Sequence, residues 1–562
     1  HDRYDYDNLL LVGECDYHAI CNKENTCPRI KLTHTFYRCL KNIVNIKEMS
    51  REELEKSYMA LHTKVEQLSQ ENNWYREQIK LQQKKLFGQS SEKVHVDQLS
   101  LFDEIEFEST PINDESNITE VKSHKRKKKS KLMDLDSLKN TSIDYVLNAD
   151  ERMCPKCNHE LHEMSQKVRK ELVFVPSKVE VVNHIEHVYS CRNCEKNDIE
   201  ATIIKADGPT PLISGSIASS SLVSNIINDK YAKSLPLYRQ EVSFQRMGIN
   251  INRQNMSNWL VRVANSYFKP MISYMYKQLM QAQYINADET SVQVLREPGK
   301  KAASKSYIWV YMTGRSEDKQ YVLFNYEPSR SHKHAIDYLE DFKGVLTSDG
   351  YQAYDEVEDV IQTGCWAHAR RKFKEALDLV PKSANPETTQ TYQCFSMINE
   401  LFAIEREYKE CDYDELTKIR QKKSKPIVKK FFKKIHELHS VSLPKSRFGE
   451  AINYAYNQES KLKTYLVDGK IEISNNAAEN IIRPFTIGRK NWLFMNTVKG
   501  ANSSCYIYSL VESAKMNNLK PYDYFQYILD RLPDLDLTDE KALETVMPWA
   551  KLPEELYVAK KS

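Results

Sequence analysis

Three acidic residues lie where a metal-dependent site could form. Asp288 belongs to the run YINADET, where a helical region gives way to strand-like sequence. Asp349 lies near the end of GVLTSDG, and Glu479 lies in SNNAAEN at the start of a helical pattern. Neighbouring carboxylates repel each other as anions, and Mg²⁺ prefers hard oxygen ligands. The three residues predict a site for two divalent ions, one activating a water or 3′-hydroxyl and one stabilising the leaving oxygen.

The residue types alone leave this interpretation open. Asp and Glu are common residues, and an Asp-Gly pair such as Asp349-Gly350 is usually a turn. Glu289 directly follows Asp288, but alternation along a strand predicts that its side chain points to the opposite face.

The elements around these carboxylates predict an α/β core. Runs rich in aromatic and β-branched residues are typical of strands. The order of elements, β-β-β-α-β and then a helix, is that of an RNase H-like fold. The predicted elements are strands at 284–295, 307–312 and 320–326, a helix near 331–342, a strand carrying Asp349, and a strand at 360–364.

A helical, lysine-rich stretch separates Asp349 from Glu479 in the sequence. It covers residues 375–470 and includes QKKSKPIVKKFFKK (421–434), which carries seven lysines. We predict that it is a helical insertion into the core. A surface that holds DNA and a solvated face are both compatible with its charge.

Four cysteines have the spacing of a zinc site. Cys154 and Cys157 form one CxxC pair, and Cys191 and Cys194 form a second. Each pair presents two thiolates from one turn, and zinc takes four such ligands in a tetrahedron. A redox dithiol would need only one pair. Residues 170–190 alternate like a β-hairpin, so the sequence predicts a zinc ribbon.

The N-terminal part contains a heptad pattern. Apolar residues recur from Leu54 to Leu86 without an intervening Gly or Pro, which predicts a coiled coil. Asn72 at an a position favours a dimer. One amphipathic helix packing on its own chain is the alternative. A charged linker follows, and its basic run KSHKRKKKSK (122–131) could contact phosphates or be solvated.

Between the cysteines and the core, residues 216–283 have helical patterns. One helix ends at Gly248 and the next begins near Asn252, with Arg253 on its polar side. This arrangement is compatible with a helix-turn-helix that reads a DNA groove and equally with a plain helical hairpin.

Basic residues interleaved with an aromatic ring can hold phosphates and stack a base. They cluster after Glu479 and after the fifth strand. The candidate DNA-binding residues are Arg253, Arg370, Arg371, Arg483, Arg489, Lys490 and Trp492.

The composition limits the number of domains and the classes of protein that the chain can form. A chain of 562 residues with 41% hydrophobic residues predicts three to five domains with real cores. The net charge is only +3, so polyanion contact would rest on local basic clusters. The sequence contains no run of ~20 apolar residues and no signal peptide pattern. Paired CxxC motifs favour a reducing cytoplasm. Residues 1–48 fit no pattern, and a natural start at Met49 is an open possibility.

Taken together, the motifs resemble the insertion-sequence-66 family of bacterial transposases over roughly residues 50–535. The matching pieces, in order, are LFGQSSEK, CPKC and CRNC, KYAKSLPLYRQE, RMGI, ADET, SDGYQAY, CWAHARRKF, SNNAAENIIRPF, GRKNWLF and YSLVESAKMN.

The resemblance implies a DDE transposase that cleaves DNA at element ends and joins the 3′-hydroxyl to target DNA, without a covalent protein–DNA intermediate. It implies Asp288, Asp349 and Glu479 as catalytic ligands of Mg²⁺ (or Mn²⁺), and the four cysteines as Zn²⁺ ligands. Cys365 and His368 resemble a C-x-x-H motif, either structural or an incomplete metal site. The implied partners are DNA, a second copy of the chain and small accessory proteins, in the bacterial cytoplasm and without a membrane.

Two other interpretations compete with this one. One is a DNA-binding protein or inactive copy that binds element ends without catalysis, and the other is an RNase H-like nuclease or resolvase. The predicted domains are 1–48 extension, 49–93 coiled coil, 94–145 linker, 146–206 zinc-binding domain, 207–283 helical region, 284–374 core, 375–470 insertion, 471–535 second part of the core, and 536–562 tail.

Overall fold

A computed structural model describes residues 179–190, 203–380 and 385–559, with scattered positions between 50 and 75. The chain is divided into two compact units, and the boundary lies after Gly88. The predictions for residues 1–48, the linker 94–145 and the four zinc-ligand cysteines lie outside the described residues. Within the described residues, the model contains no helix long and apolar enough to span a bilayer.

In the first unit, the described positions from 51 to 75 are helical. Apolar side chains that belong to the heptad pattern are exposed there, including Leu61 and Val65. The predicted helix is therefore confirmed at these positions, and the coiled coil stays a prediction.

The second unit is a mixed α/β structure. Its strands are β1 (Val188–Ser190), β2 (Ile203–Lys205), β3 (Tyr284–Arg296), β4 (Lys305–Thr313), β5 (Val322–Glu327), β6 (Val345–Ser348), β7 (Ile361–Gly364) and β8 (Met495–Thr497). Its helices are α1 (Ser220–Ile227), α2 (Leu237–Arg246), α3 (Arg253–Val263), α4 (Lys269–Leu279), α5 (His332–Tyr338), α6 (Trp366–Leu377), α7 (Gln390–Glu407), α8 (Tyr413–Ile419), α9 (Lys425–His439), α10 (Arg447–Asn457), α11 (Glu459–Thr464), α12 (Asn476–Trp492), α13 (Val498–Met516), α14 (Pro521–Leu529) and α15 (Glu540–Glu544).

The central sheet has the strand order β5-β4-β3-β6-β7, and β8 pairs with the end of β3. Strands β3, β4 and β5 are antiparallel neighbours, whereas β6 and β7 run parallel to β3. The five predicted core strands are therefore present, in the predicted sequence order, and the prediction of an α/β core is confirmed.

The edge of the sheet at β5 is covered by α13. The backbone N–H of Val322 donates to Ser513 Oγ at 3.0 Å, and that of Phe324 donates to Ser509 Oγ at 2.8 Å. An uncovered edge strand would leave these donors open to pairing with another chain. The small hydroxyl residues of α13 thus complete the edge and allow the helix to be buried against it.

The helices that precede the sheet begin and end at residues that favour helix termini. Helix α2 is followed by Gly248, whose φ of +79° costs other residues strain. Helix α3 is capped by Asn252, whose side chain accepts from the backbone N–H of Asn255 at 2.8 Å. The predicted pair of helices in this region is confirmed, and its role as a DNA-reading motif stays a prediction.

The insertion has its own hydrophobic core. Trp366 at the start of α6 is fully buried there and packs edge-to-face on Phe431 of α9, with ring centroids 5.3 Å apart. Its indole N–H donates to the carbonyl of Leu462 at 2.8 Å. Helices α7, α9, α10 and α11 contribute side chains to this core, so the predicted helical character is confirmed for the described residues.

The predicted β-hairpin at 170–190 is described only from residue 179 onward. Residues 179–187 carry no strand, and Val181 and Ile185 are exposed. The observed pair, β1 with β2, flanks the second cysteine pair instead. The long helix α13 starts at Val498, where the Thr497 hydroxyl caps it by accepting from the Gly500 N–H.

Candidate active site

Asp288 and Asp349 occupy equivalent positions on neighbouring parallel strands. In the β3–β6 pairing, Asn286 lies opposite Thr347, and each aspartate follows two residues later. Neighbouring strands lie about 4.8 Å apart, so the two carboxylates start from adjacent points at the same level of the sheet. The backbone pairing alone therefore places them side by side.

Asp349 lies at a sharp turn directly after β6. Its Oδ1 accepts a hydrogen bond from the backbone N–H of Tyr351 at 2.9 Å, and Gly350 between them has a φ of +88°. Only glycine adopts that conformation readily. The turn chemistry of Asp-Gly is thus what holds the side chain at the strand end, so here the turn forms part of the site.

Glu479 reaches the two aspartates from the first turn of α12. Two side chains attach this helix to β3. Asn475, just before the helix, donates to the carbonyl of Ala287 at 2.9 Å, and Arg489, near its end, donates to Thr290 Oγ1 at 3.1 Å. Because the helix is held at both ends, Glu479 is fixed next to Asp288 despite a separation of 191 positions in the sequence.

The site contains a cluster of carboxylates whose negative charges repel each other. Burial raises the pKa of Asp288 well above its usual value, and the charges of Asp349, Glu289 and Glu479 raise it further. A buried carboxyl group that must either stay protonated or repel its charged neighbours lowers the stability of the folded state. A divalent cation would remove that cost, and carboxylate oxygens are the donors that Mg²⁺ takes. The donor set therefore fits such an ion.

Glu479 also has two cationic or ionisable neighbours on α6. Arg371 Nη2 lies 3.2 Å from Glu479 Oε2, and His368 Nδ1 lies 3.5 Å from Oε1. Burial lowers the pKa of His368, which favours the neutral imidazole. Arg371 donates to the carboxylate and orients it, whereas His368 Nδ1 lies beside it without a hydrogen bond.

Cys365 and His368 do come together, and Glu479 joins them. Their possible ligand atoms and one from Glu479 all lie within 4.8 Å of one another. The thiol of Cys365 accepts from the backbone N–H of Asn475 at 3.1 Å, and burial raises its pKa to about 12. The two interpretations of the pair, a structural role and an incomplete metal site, both stay predictions.

Glu289, which strand alternation was expected to direct to the opposite face, is a buried neighbour of the site. Its carboxylate accepts from the guanidinium of Arg330 (Nε at 2.9 Å) and from the hydroxyl of Tyr354 at 3.0 Å. Arg330 in turn stacks on Tyr351, 3.8 Å from the ring centroid. Burial and the nearby Asp349 raise the pKa of Glu289. Its position directly after Asp288 was the available signal.

The candidate DNA-binding residues fall in different environments. Arg371 joins the carboxylates, whereas Arg489 is part-buried against β3 and Arg370 donates to Asn399 at 2.6 Å. Lys490 is exposed at the end of α12, Arg253 is exposed at the start of α3, Arg483 is part-buried on α12, and Trp492 packs edge-to-face on Phe485. Their role in DNA binding stays a prediction.

Family comparison agrees with this geometry. Residues 215–503, just over half of the chain, match the model described as the Transposase IS66 family. The chain belongs to the IS66 transposase family. Further matches are the zinc-finger binding domain of transposase IS66 at 151–195, the IS66 C-terminal element at 509–549, and the model described as Transposase C of IS166 homeodomain at 74–137. The resemblance seen in the sequence is confirmed.

Relatives of this transposase occur in Sinorhizobium fredii (strain NBRC 101917 / NGR234). The uncharacterized protein y4jD is 29% identical over 422 residues, which cover 72% of this chain and 79% of y4jD. The uncharacterized protein y4qI is 31% identical over 372 residues, covering 63% of this chain and 66% of y4qI, slightly under two thirds of its length.

Among solved structures, the Drosophila P element transposase strand transfer complex contains a chain with 11% identity and a TM-score of 0.28. The match covers 52% of this chain and 92% of that one. A TM-score this low is no evidence of a shared overall fold.

Proposed function

We propose that the protein is an active transposase that cuts DNA at the ends of an insertion sequence and joins the 3′-hydroxyl to target DNA. The observation that carries the proposal is the convergence of Asp288, Asp349 and Glu479 on one acidic site. Membership of the IS66 family supports the reaction class. The strand order β5-β4-β3-β6-β7 supports an RNase H-like core.

Asp288, Asp349 and Glu479 would hold the Mg²⁺ or Mn²⁺ of a DDE site. Bound there, such ions would lower the pKa of the attacking water or 3′-hydroxyl and offset the charge of the leaving oxygen. Arg371 orients Glu479 by donating to its carboxylate. Arg371 also places a positive charge next to the site, where it would stabilise the scissile phosphate.

The remaining modules would bring DNA and a second subunit to this core. Cys154, Cys157, Cys191 and Cys194 are the proposed zinc ligands, supported by the zinc-finger family match across them. The heptad helix would form a dimer, and small accessory proteins of the same element would assist in the bacterial cytoplasm. Arg253, Arg370, Arg483, Lys490 and Trp492 are the proposed DNA contacts, with Arg371 and Arg489 acting closer to the core.

An inactive copy that binds element ends without catalysis is the alternative. The complete set of three carboxylates argues against it, because a decayed site would have no selection to keep three buried anions together at a cost in stability.

We expect Asp349→Asn to reduce cleavage of a labelled element end more than about 10³-fold while leaving end binding unchanged, because the amide cannot supply the charge that a divalent ion requires. Asp355→Asn is the matched control, since Asp355 is six residues further on and pairs with Lys461. Equal loss of binding and cleavage in Asp349→Asn would exclude the catalytic role of Asp349.

We expect purified protein to contain about one zinc ion per chain, since four thiolates complete one tetrahedral site. Metal analysis should show that zinc is lost in Cys191→Ser, with the Mg²⁺-dependent core still folded. Cys411→Ser, at a half-buried cysteine of the insertion, is the control and should keep its zinc. A folded wild-type protein without zinc would rule the zinc site out.

A further inference from the structure

A cleft of about 840 Å³ lies between α3 and the segment that joins α12 to α13. One wall consists of Gln254, Asn258 and Arg262, which are four residues apart and so lie on one face of α3. The opposite wall includes Trp492 and Phe494. The cleft therefore has its own walls, away from the carboxylate site at the other end of α12.

The charged side chains that line the cleft are all basic. Lys230, Arg262 and Lys499 line it, and its lining contains no aspartate or glutamate. The whole chain has 81 basic and 78 acidic residues, so an acid-free lining of this size differs from the average composition. Such a surface attracts anions, and phosphate is the anion most suited to scattered lysine and arginine side chains.

The uncharged lining adds groups that recognise bases. Gln254 donates to Asn258 Oδ1 at 3.0 Å, which orients the two amides side by side. Asn255 and Asn496 bring further amides to the cleft, and the ring of Phe494 is 44% exposed. Amides bond to base edges, and exposed aromatic rings stack bases of an unpaired strand.

The size of the cleft selects single-stranded over duplex DNA. A volume of about 840 Å³ lies in the range of pockets that hold a small ligand, whereas a duplex is much larger. A helix-turn-helix would present α3 to the groove of a duplex. Here the polar residues of α3 instead face a second protein wall, across a gap suited to a base and its phosphate.

We propose that this cleft binds unpaired nucleotides of the DNA strand that enters the active site. The proposal rests on the proposed function, because it takes the carboxylates as the point of cleavage. Helix α12 carries Glu479 in its first turn and Trp492 at its end, about 20 Å apart at 1.5 Å per residue. The cleft thus lies about 20 Å from the carboxylates.

The test uses full-length protein without added Mg²⁺ or Mn²⁺, so that catalysis plays no part. Fluorescence anisotropy would measure binding of a labelled single strand about 12 nucleotides long and of a duplex of the same sequence. We expect Lys499→Glu to weaken single-strand binding roughly tenfold and Phe494→Ala roughly fivefold or more, from lost phosphate attraction and lost stacking. Duplex binding should remain unchanged.

Lys551→Glu is the matched control, because it makes the same charge change at an exposed lysine outside the cleft. Unchanged single-strand binding in both cleft variants, or an equal fall in duplex binding, would overturn the proposal. The wild-type strand-transfer assay separates the two proposals. If the cleft variants weaken single-strand binding but the wild type shows no strand transfer, only the proposed enzymatic function is excluded. If the wild type shows strand transfer but the cleft variants bind single strands as the wild type does, only the proposed role of the cleft is excluded.

Discussion

Asp288→Asn should abolish DNA cleavage and joining and should also make the metal-free protein harder to unfold. Asp288 lies against Asp349, Glu289 and Glu479, whose charges together with burial raise its pKa. Removing one of these anions relieves the repulsion, and relief of an uncompensated buried polar group amounts to about 1–3 kcal/mol. The same substitution removes a proposed ligand, so Mg²⁺ should no longer raise the unfolding temperature as it does in the wild type.

The pH dependence of this effect has a definite sign. A carboxyl group whose folded pKa is raised binds more protons in the folded state than in the unfolded state. Its contribution therefore favours folding at low pH and is lost as the pH rises from about 4 through the raised pKa. In EDTA, the stability gap between Asp288→Asn and the wild type should widen over that pH range.

Thermal unfolding in EDTA and then with increasing Mg²⁺ measures both effects. Asp318→Asn, at an exposed aspartate in the turn between β4 and β5, is the control and should behave as the wild type. A variant that is less stable than the wild type in EDTA and is stabilised by Mg²⁺ to the same extent would contradict the assignment of Asp288 as a ligand.

Arg420→Ala should destabilise the insertion by about 3–5 kcal/mol, because it leaves a buried acid and several carbonyls without their partner. Arg420 is only 2% exposed and forms two bonds to Glu405, at 2.8 and 2.7 Å. Its Nη1 donates to the carbonyls of Tyr465, Asp468 and Ile471 at 2.7–2.9 Å. One side chain thus connects α7 with the segment that leads to Asn475 and Glu479.

Hydrogen exchange resolves this prediction better than global unfolding does, because a chain of several domains does not unfold in one step. Protection should fall across residues 390–471 and remain in the central strands. Lys423→Ala is the matched control, since Lys423 pairs with Glu407 at the surface and such pairs contribute about 0–1 kcal/mol. Equal loss of protection in both variants would contradict the role of Arg420 in connecting α7 with the segment that leads to Glu479.

Local sequence patterns were sufficient to predict the strands of the core. The aromatic and β-branched runs of β3, β4 and β5 alternate with turn residues, and each strand appears within about two residues of its expected bounds. Asp349 could be placed at a strand end because Gly350 follows a buried apolar run. These signals depend only on neighbours in the chain.

The completed site depends on contacts that are remote in sequence. Glu479 comes to Asp288 because Asn475 bonds to Ala287 and Arg489 bonds to Thr290, and no local pattern encodes such pairs. The cleft beside α3 likewise arises from two segments more than 200 positions apart.

The most direct test is strand transfer by the purified wild-type protein. A pre-cut, labelled element end would be mixed with a supercoiled plasmid, in Mg²⁺ or in EDTA, with Asp288→Ala in parallel. We predict that the label joins the plasmid only with wild-type protein and Mg²⁺. Joining that persists in EDTA or in Asp288→Ala would contradict the account, and so would an absence of joining by the wild type even when the accessory proteins of the same element are added.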